Sequence, residues 1–299
     1  MFKLCLGTAQ FGMKYGINNQ IGRQPRYEEI FQIMDYAISQ GIEVFDTASV
    51  YGQSEKILGE YIKARPGFLN KVSFISKLAP NIVKSKDNIY KNIKTEVEMS
   101  LSHLGISRLK GFLLHEAGDI YNQAVIEALL KIKSEGLIEN IGVSIYDMIH
   151  GEAAIKAGCI DYIQLPYSVL DQRGEKEGFF KRAHLAGITI FIRSAFLQGL
   201  LLMEPDKVPD YLSEVKPYLE RLDFILKKYG YTRYEGAVGF VKNCSVVSYI
   251  VFGVDTKKHL EKFLNTYKNI ELPTECIKEI QDEININNKN ILFPFLWKK

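Results

Sequence analysis

The feature that most restricts this chain is a recurring pattern: a short apolar run followed by a longer amphipathic stretch, repeated eight times along the sequence. The runs are Leu4–Gly7, Val44–Asp46, Val72–Lys77, Gly111–His115, Ile138–Val143, Tyr162–Leu165, Ile188–Ile192 and Ser248–Phe252. None alternates polar with apolar, so each predicts a strand buried on both faces, as in a parallel sheet. Helices are predicted over Tyr27–Gln40, Ser54–Ala64, Asp87–Leu104 and Asn122–Glu135, with Gly41, Pro66, Gly105 and Gly136 as their stops. Further helices are predicted near Met148–Ala157, Glu175–Ala186, Tyr211–Tyr229, Tyr234–Asn243, Thr256–Tyr267 and Thr274–Ile286.

Eight such units in 299 residues predict an α/β fold, a (β/α)8 TIM barrel forming a single domain over the whole chain. The competing architecture is a doubly wound open sheet. It usually opens with a Gly-x-Gly-x-x-Gly turn, and none follows any of these runs. The irregular stretch Met203–Asp210, with two prolines, is expected as a loop over the barrel mouth.

Composition narrows the function. A hydrophobic share of 46% and a net charge of +3 suit an ordinary globular protein and argue against nucleic-acid binding. No apolar stretch is long enough to span a bilayer, and no signal-peptide pattern opens the chain, so no membrane partner and a cytoplasmic location are expected. Cys5, Cys159, Cys244 and Cys276 are far apart, which suggests neither a disulfide framework nor a zinc site.

In a barrel of this kind, ionisable groups at the C-terminal ends of strands face the active site. Three adjacent runs end in one: Asp46, Lys77 and His115. Tyr51 lies in the loop after the second. Each alone has an ordinary explanation, and Tyr51 is one of 17 tyrosines. Together they suit proton transfer to an oxygen. A phenol is a weak acid with a pKa near ~10. A neighbouring ammonium is expected to lower that value, a carboxylate to hold the ammonium, and an imidazole to orient a carbonyl. No activated Ser or Cys stands beside a base, and no cluster of metal ligands is present, so metal: none is the expectation.

By these residues the chain resembles the aldo-keto reductase family. Asp46-Thr47-Ala48-Ser49-Val50-Tyr51-Gly52, followed by Ser54-Glu55 and Leu58-Gly59, is similar to the family's Asp-Thr-Ala-x-x-Tyr-Gly signature. Lys77 and Leu113-Leu114-His115 occupy the next two family positions, and Leu6-Gly7-Thr8 resembles the first strand. The resemblance implies carbonyl reduction by NADPH, with NADH as the other candidate. Tyr51 would be the general acid, tuned by Lys77 and Asp46, with His115 orienting the carbonyl. It also implies a cofactor site including Gly7, Thr8, Asp46, Ser144 and Gln164. Gly253, Val254, Asp255 and Thr256 would place a phosphate at a helix start. The partner implied is a small carbonyl substrate, and the protein would be a monomer or homodimer.

The sequence departs from the family pattern at three places. Ile145 follows Ser144 where the family has Asn. Arg193-Ser194 stands where a tyrosine usually stacks on the nicotinamide; a guanidinium can stack or bind an acidic substrate. Gly253-Val254 and His259 stand where residues associated with NADPH usually occur, leaving Lys257 and Lys258 as candidates for a 2′-phosphate. Substrate contacts are expected from Gln10, Phe11, Tyr146 and Tyr167, with Gln198 a further candidate. The aromatic tail Leu292–Trp297 would fold over the mouth, or pack on an outer helix or a second subunit. The opening Gly-Thr-Ala-Gln-Phe-Gly with Tyr15-Gly16-Ile17 looks like a bacterial subgroup tied to sugar and surface-polysaccharide metabolism, which implies a sugar-like carbonyl. The alternatives are a regulatory relative that binds cofactor without turnover, and a barrel aldolase using Lys77 as a Schiff-base amine.

Overall fold

Strands apolar on both faces need cover on both, and a closed barrel inside a ring of helices provides it. A computed structural model describes residues 3–19, 21–84 and 88–297. Its eight strands are β1 (Lys3–Gly7), β2 (Val44–Asp46), β3 (Ser73–Leu78), β4 (Gly111–Leu114), β5 (Ile141–Ser144), β6 (Tyr162–Pro166), β7 (Thr189–Arg193) and β8 (Tyr249–Gly253). They pair in chain order, all parallel, and β8 closes on β1. The fold is therefore a (β/α)8 barrel, and the open sheet is excluded. Among the described residues, no helix is long and apolar enough to cross a membrane.

The apolar residues divide into two cores. One lies between sheet and helices. The other, made of Cys5, Val44, Ile75, Leu113, Tyr162, Phe191, Tyr249 and Val251, fills the barrel interior. Strand side chains alternate faces, so residues two positions further on point the same way. On β1 to β4 these are Gly7, Asp46, Lys77 and His115. On β6 to β8 they are Gln164, Arg193 and Gly253. On β5, Ser144 stands two beyond Gly142. Because all strands run the same way, this next layer is the rim of one mouth. The site is thus a continuation of the interior packing layer, read out by parity.

Several expected boundaries moved. The strand expected from Ile138 begins at Ile141, and Ile138 makes only an isolated bridge to Leu109. The helix expected over Glu175–Ala186 is two pieces, Arg173–Lys176 and Phe179–Leu185, because Gly178 takes φ +67° between them. The helix expected over Tyr211–Tyr229 starts as a 3-10 segment, Asp210–Val215. The α-helix proper, Lys216–Lys228, carries Pro217 in its first turn, where the missing N–H costs nothing. The helix expected from Asp87 runs Ile89–Leu104, and Asp87 itself lies outside the described residues.

The loop that carries Tyr51 is held by close backbone packing. A Cβ added at Gly12 would lie 1.6 Å from the Tyr51 carbonyl oxygen, and one at Gly52, where φ is +59°, 2.3 Å from the Gly12 carbonyl oxygen. Buried hydroxyls complete the joint. Thr8 Oγ1 donates to the Asp46 carbonyl at 2.9 Å, Ser54 Oγ donates to the Thr8 carbonyl at 3.0 Å, and Thr47 Oγ1 donates to Ser54 Oγ at 3.1 Å. Gly12→Ala is expected to lower unfolding stability by about 1–3 kcal/mol, the usual cost of overpacking. A urea titration reads it as a lower midpoint at constant slope. An unchanged midpoint would mean this joint is looser than described.

Candidate active site

Lys77 is fully buried at the end of β3, and a buried ammonium must be paired. Its Nζ lies 2.8 Å from each carboxylate oxygen of Asp46, 2.8 Å from the Thr47 carbonyl and 3.4 Å from Tyr51 Oη. Asp46 also accepts from Gln164 Nε2 at 2.8 Å. An ammonium has three hydrogens and cannot accept. Its donation to Tyr51 therefore falls on the phenol oxygen and leaves the phenol's own hydrogen free to face the cavity. The four residues singled out at strand ends and in the following loop do come together. The Tyr51 and His115 rings sit 6.1 Å apart, nearly perpendicular.

The direction of the tyrosine's shift differs from expectation. Burial pushes the Tyr51 phenol up from its ordinary value, the Asp46 carboxylate adds to the rise, and the Arg193 charge opposes it. The expected lowering is overturned because desolvation by burial is the largest influence on the phenol and the Asp46 charge acts in the same direction. The phenol consequently stays protonated at neutral pH, the state a proton donor needs.

Burial, with the Lys77 and Arg193 charges, depresses the His115 pKa to about 3. Its Nδ1 is buried without a hydrogen-bond partner. The imidazole is therefore neutral and offers one N–H. Between pH 3 and 6.5 the unfolded chain binds a proton here that the folded protein does not, so stability is lost as pH falls through that window. Urea midpoints measured against pH should decline toward acid, and His115→Gln should flatten the decline. Parallel curves for the two proteins would contradict the assignment.

A cavity of about 1090 Å³ opens over this rim. Gly7, Thr8, Gln10, Asp46, Tyr51, Arg193, Ser194, Gln198, Gly253, Val254, Asp255, Thr256, Lys258 and His259 line it. Ser144 and Gln164 are buried and are not among the lining residues, though Gln164 bonds the lining residue Asp46. Lys257 is turned away, over the Tyr36 ring and toward Glu261.

Two of the expected substrate contacts are corrected. Phe11 is fully buried in the outer core, since it falls on the inward face of the short helix Ala9–Gly12. Tyr167 stands one position past β6 on the opposite parity from Gln164. It packs between Phe180 and Phe240 and donates its hydroxyl to Glu175 at 2.5 Å. Tyr146 lies outside the cavity lining but carries the Arg193 guanidinium over its ring at 4.2 Å. Phe293 and Phe295 of the tail brace its other sides at 5.0 and 4.9 Å.

Sequence reasoning passed over several lining residues. Tyr15 faces the same end as Tyr51, on a loop pinned across the mouth. Ile17 N donates to the Gln198 carbonyl at 3.0 Å, and Asn19 Nδ2 donates to Asp255 at 3.3 Å. At the far end stand Phe196 and Tyr234, stacked 5.2 Å apart, with Lys262 over the Tyr234 ring at 4.2 Å. The loop around Met203–Asp210 contributes Glu204, so it does border the mouth, though it contains a 3-10 turn, Pro205–Lys207.

Comparison with known proteins agrees with this geometry. The model of the Aldo/keto reductase family matches residues 3–285. The chain is 29% identical to the NADH-specific methylglyoxal reductase of Escherichia coli K12, over 73% of this chain and 72% of that one. It is 29% identical to the 6-dehydroglucose reductase of Agrobacterium fabrum, over 48% of this chain and 51% of the relative. An aldo-keto reductase from Bacillus halodurans in its holo form superposes with a TM-score of 0.74 at 23% identity, covering 94% of this chain and 91% of that one. The chain belongs to the aldo/keto reductase family, whose members are oxidoreductases of carbonyl compounds that use nicotinamide cofactors.

Proposed function

We propose that this protein reduces an aldehyde or ketone to an alcohol at the expense of NADPH, with Tyr51 as the proton donor. The observation that carries the reading is the approach of Lys77 Nζ to Tyr51 Oη at 3.4 Å while Asp46 holds the ammonium. As negative charge grows on the carbonyl oxygen, Tyr51 releases its proton to that oxygen, and Lys77 donates to the phenolate left behind. The neutral His115 has one N–H to give the same oxygen, which fixes the carbonyl's orientation. Gly7, Thr8 and the buried barrel layer beneath the rim keep water from one side.

The groove's chemistry suits a nicotinamide dinucleotide, which when bound supplies the hydride. Gln164 commits its amide nitrogen to Asp46, leaving the oxygen to accept from a carboxamide. Ser144, beside it in the register of β5 and β6, offers a hydroxyl. The helix Lys257–Asn269 is capped by Thr256, whose hydroxyl accepts from His259 N at 3.1 Å. That leaves the amides of Lys257 and Lys258 for a phosphate at a positive dipole end. Lys258 lines the groove and, among the described residues, forms no ion pair with a carboxylate, which favours NADPH over the NADH named for the Escherichia coli relative.

A sugar-like carbonyl is the substrate class suggested by the sugar-acting relative. The test follows NADPH and NADH oxidation with sugar aldehydes, keto-sugars, methylglyoxal, aromatic aldehydes and 2-oxo and 4-oxo carboxylates. Oxidation with none of them ends the reductase reading, and activity confined to apolar aromatics ends the sugar one. A Schiff-base role for Lys77 fits poorly, because an amine held as an ammonium between two carboxylate oxygens has no lone pair to attack with. A regulatory relative has no use for a proton donor placed at the cavity wall.

A further inference from the structure

Next to the proposed proton donor, the mouth holds a charged group that the reaction above does not use. Arg193 ends β7 on the interior parity, lines the cavity beside Tyr51, and lies over Tyr146. A guanidinium carries five N–H donors in a planar fork. Among the described residues, its polar partners are the Ile145 carbonyl at 3.3 Å and Ser194 Oγ at 3.5 Å, both long, together with the Tyr146 side chain. Among the described residues no carboxylate ion-pairs with it, whereas Lys77 is paired with Asp46. A part-buried charge left in this state costs stability until something neutralises it.

Geometry narrows what that is. One face of the guanidinium already lies on the Tyr146 ring, and the Phe293 and Phe295 rings keep Tyr146 in place. The edge, where the N–H groups project, is the part left for a ligand. Lys77 is neutralised by Asp46 and His115 is uncharged, so this end of the mouth carries a single surplus positive charge. A single charge with a forked donor edge matches a carboxylate, which is monoanionic and takes two parallel N–H bonds.

Resting on the reductase reading, we infer that Arg193 recognises a carboxylate on the substrate, which makes the substrate an oxo acid whose carbonyl lies within short reach of that carboxylate. The acid group is seated against the β7 edge while the carbonyl oxygen faces Tyr51 and His115. Polyhydroxylated oxo acids belong to this class, and neutral sugars do not. The tail contributes indirectly: by bracing Tyr146 it holds the guanidinium plane in the orientation the carboxylate needs.

The test pairs 2-oxo and 4-oxo carboxylates with their own amides, so that each pair differs chiefly in charge. The wild type should favour the acid of each pair in kcat/KM. Arg193→Met should lower the acid-to-amide ratio by roughly 30-fold or more, the usual result of removing one partner of a desolvated charge pair. Arg193→Lys keeps the charge without the fork and should fall between; it also serves should the Met variant fold poorly. Oxamate, an inert carboxylate probe, should bind the wild type with NADP+ present and should bind Arg193→Met far more weakly by calorimetry. An unchanged ratio with equal losses on acid and amide would overturn the inference and assign Arg193 to the cofactor ring. Oxamate binding through Arg193 in a protein that reduces no carbonyl would instead keep the anion site and overturn the reductase reading.

Discussion

Tyr51→Phe should lower kcat/KM for carbonyl reduction by roughly a thousandfold, within the 10²–10⁴ range typical of a lost general acid. The substitution removes one oxygen and no packing volume of consequence, so the ring should stay against His115 and the loop should keep its joint with Gly12. Cofactor affinity, read by quenching of intrinsic fluorescence, should hold. Because burial and Asp46 keep the phenol protonated, the wild-type rate should not decline on the alkaline side until well above neutrality. A Phe variant retaining a tenth or more of the activity would remove Tyr51 from the role of proton donor.

Lys77→Met should be worse for the molecule as a whole. The substitution leaves the Asp46 carboxylate, itself only 4% exposed, with Gln164 as its remaining side-chain donor. Breaking a buried ion pair from one side costs about 3–5 kcal/mol, because an unpaired charge is stranded. The urea midpoint should therefore fall steeply and activity should fall with it. Asp46→Asn combined with Lys77→Met removes both charges and should recover much of the stability but none of the rate. The pair of outcomes separates the structural cost of the ion pair from its part in proton transfer. A single Lys77→Met variant as stable as the wild type would mean that the pair is far more solvated than its burial implies.

Some of the site was legible because it lies along single strands. Asp46, Lys77 and His115 each close an apolar run, so local pattern alone set them at strand ends, and the Asp-Thr-Ala-x-x-Tyr-Gly stretch added Tyr51. Gln164 could be named, but its grip on Asp46 spans 118 positions and exists only once β6 and β2 share a closed wall. Tyr167 and Phe11 were misjudged for one reason. Proximity to a strand end does not say which way a side chain turns: Tyr167 falls on the strand parity that faces the helices, and Phe11 on the inward face of a short helix. The direction of the Tyr51 shift was likewise out of reach, since depth of burial and the influence of the Asp46 charge are properties of the packed rim.

What the sequence determined by itself was the periodicity: eight apolar runs of strand length, spaced by amphipathic segments, admit few closed arrangements. It also determined which chemical groups stand at the strand ends. Tertiary structure decided the rest, because a parallel barrel brings to one rim residues far apart in the chain. Only there do Lys77 find its carboxylate, Arg193 its aromatic seat on Tyr146, and the last aromatic residues a place against that ring. These interactions depend on distances across a closed surface, and linear order carries no measure of them.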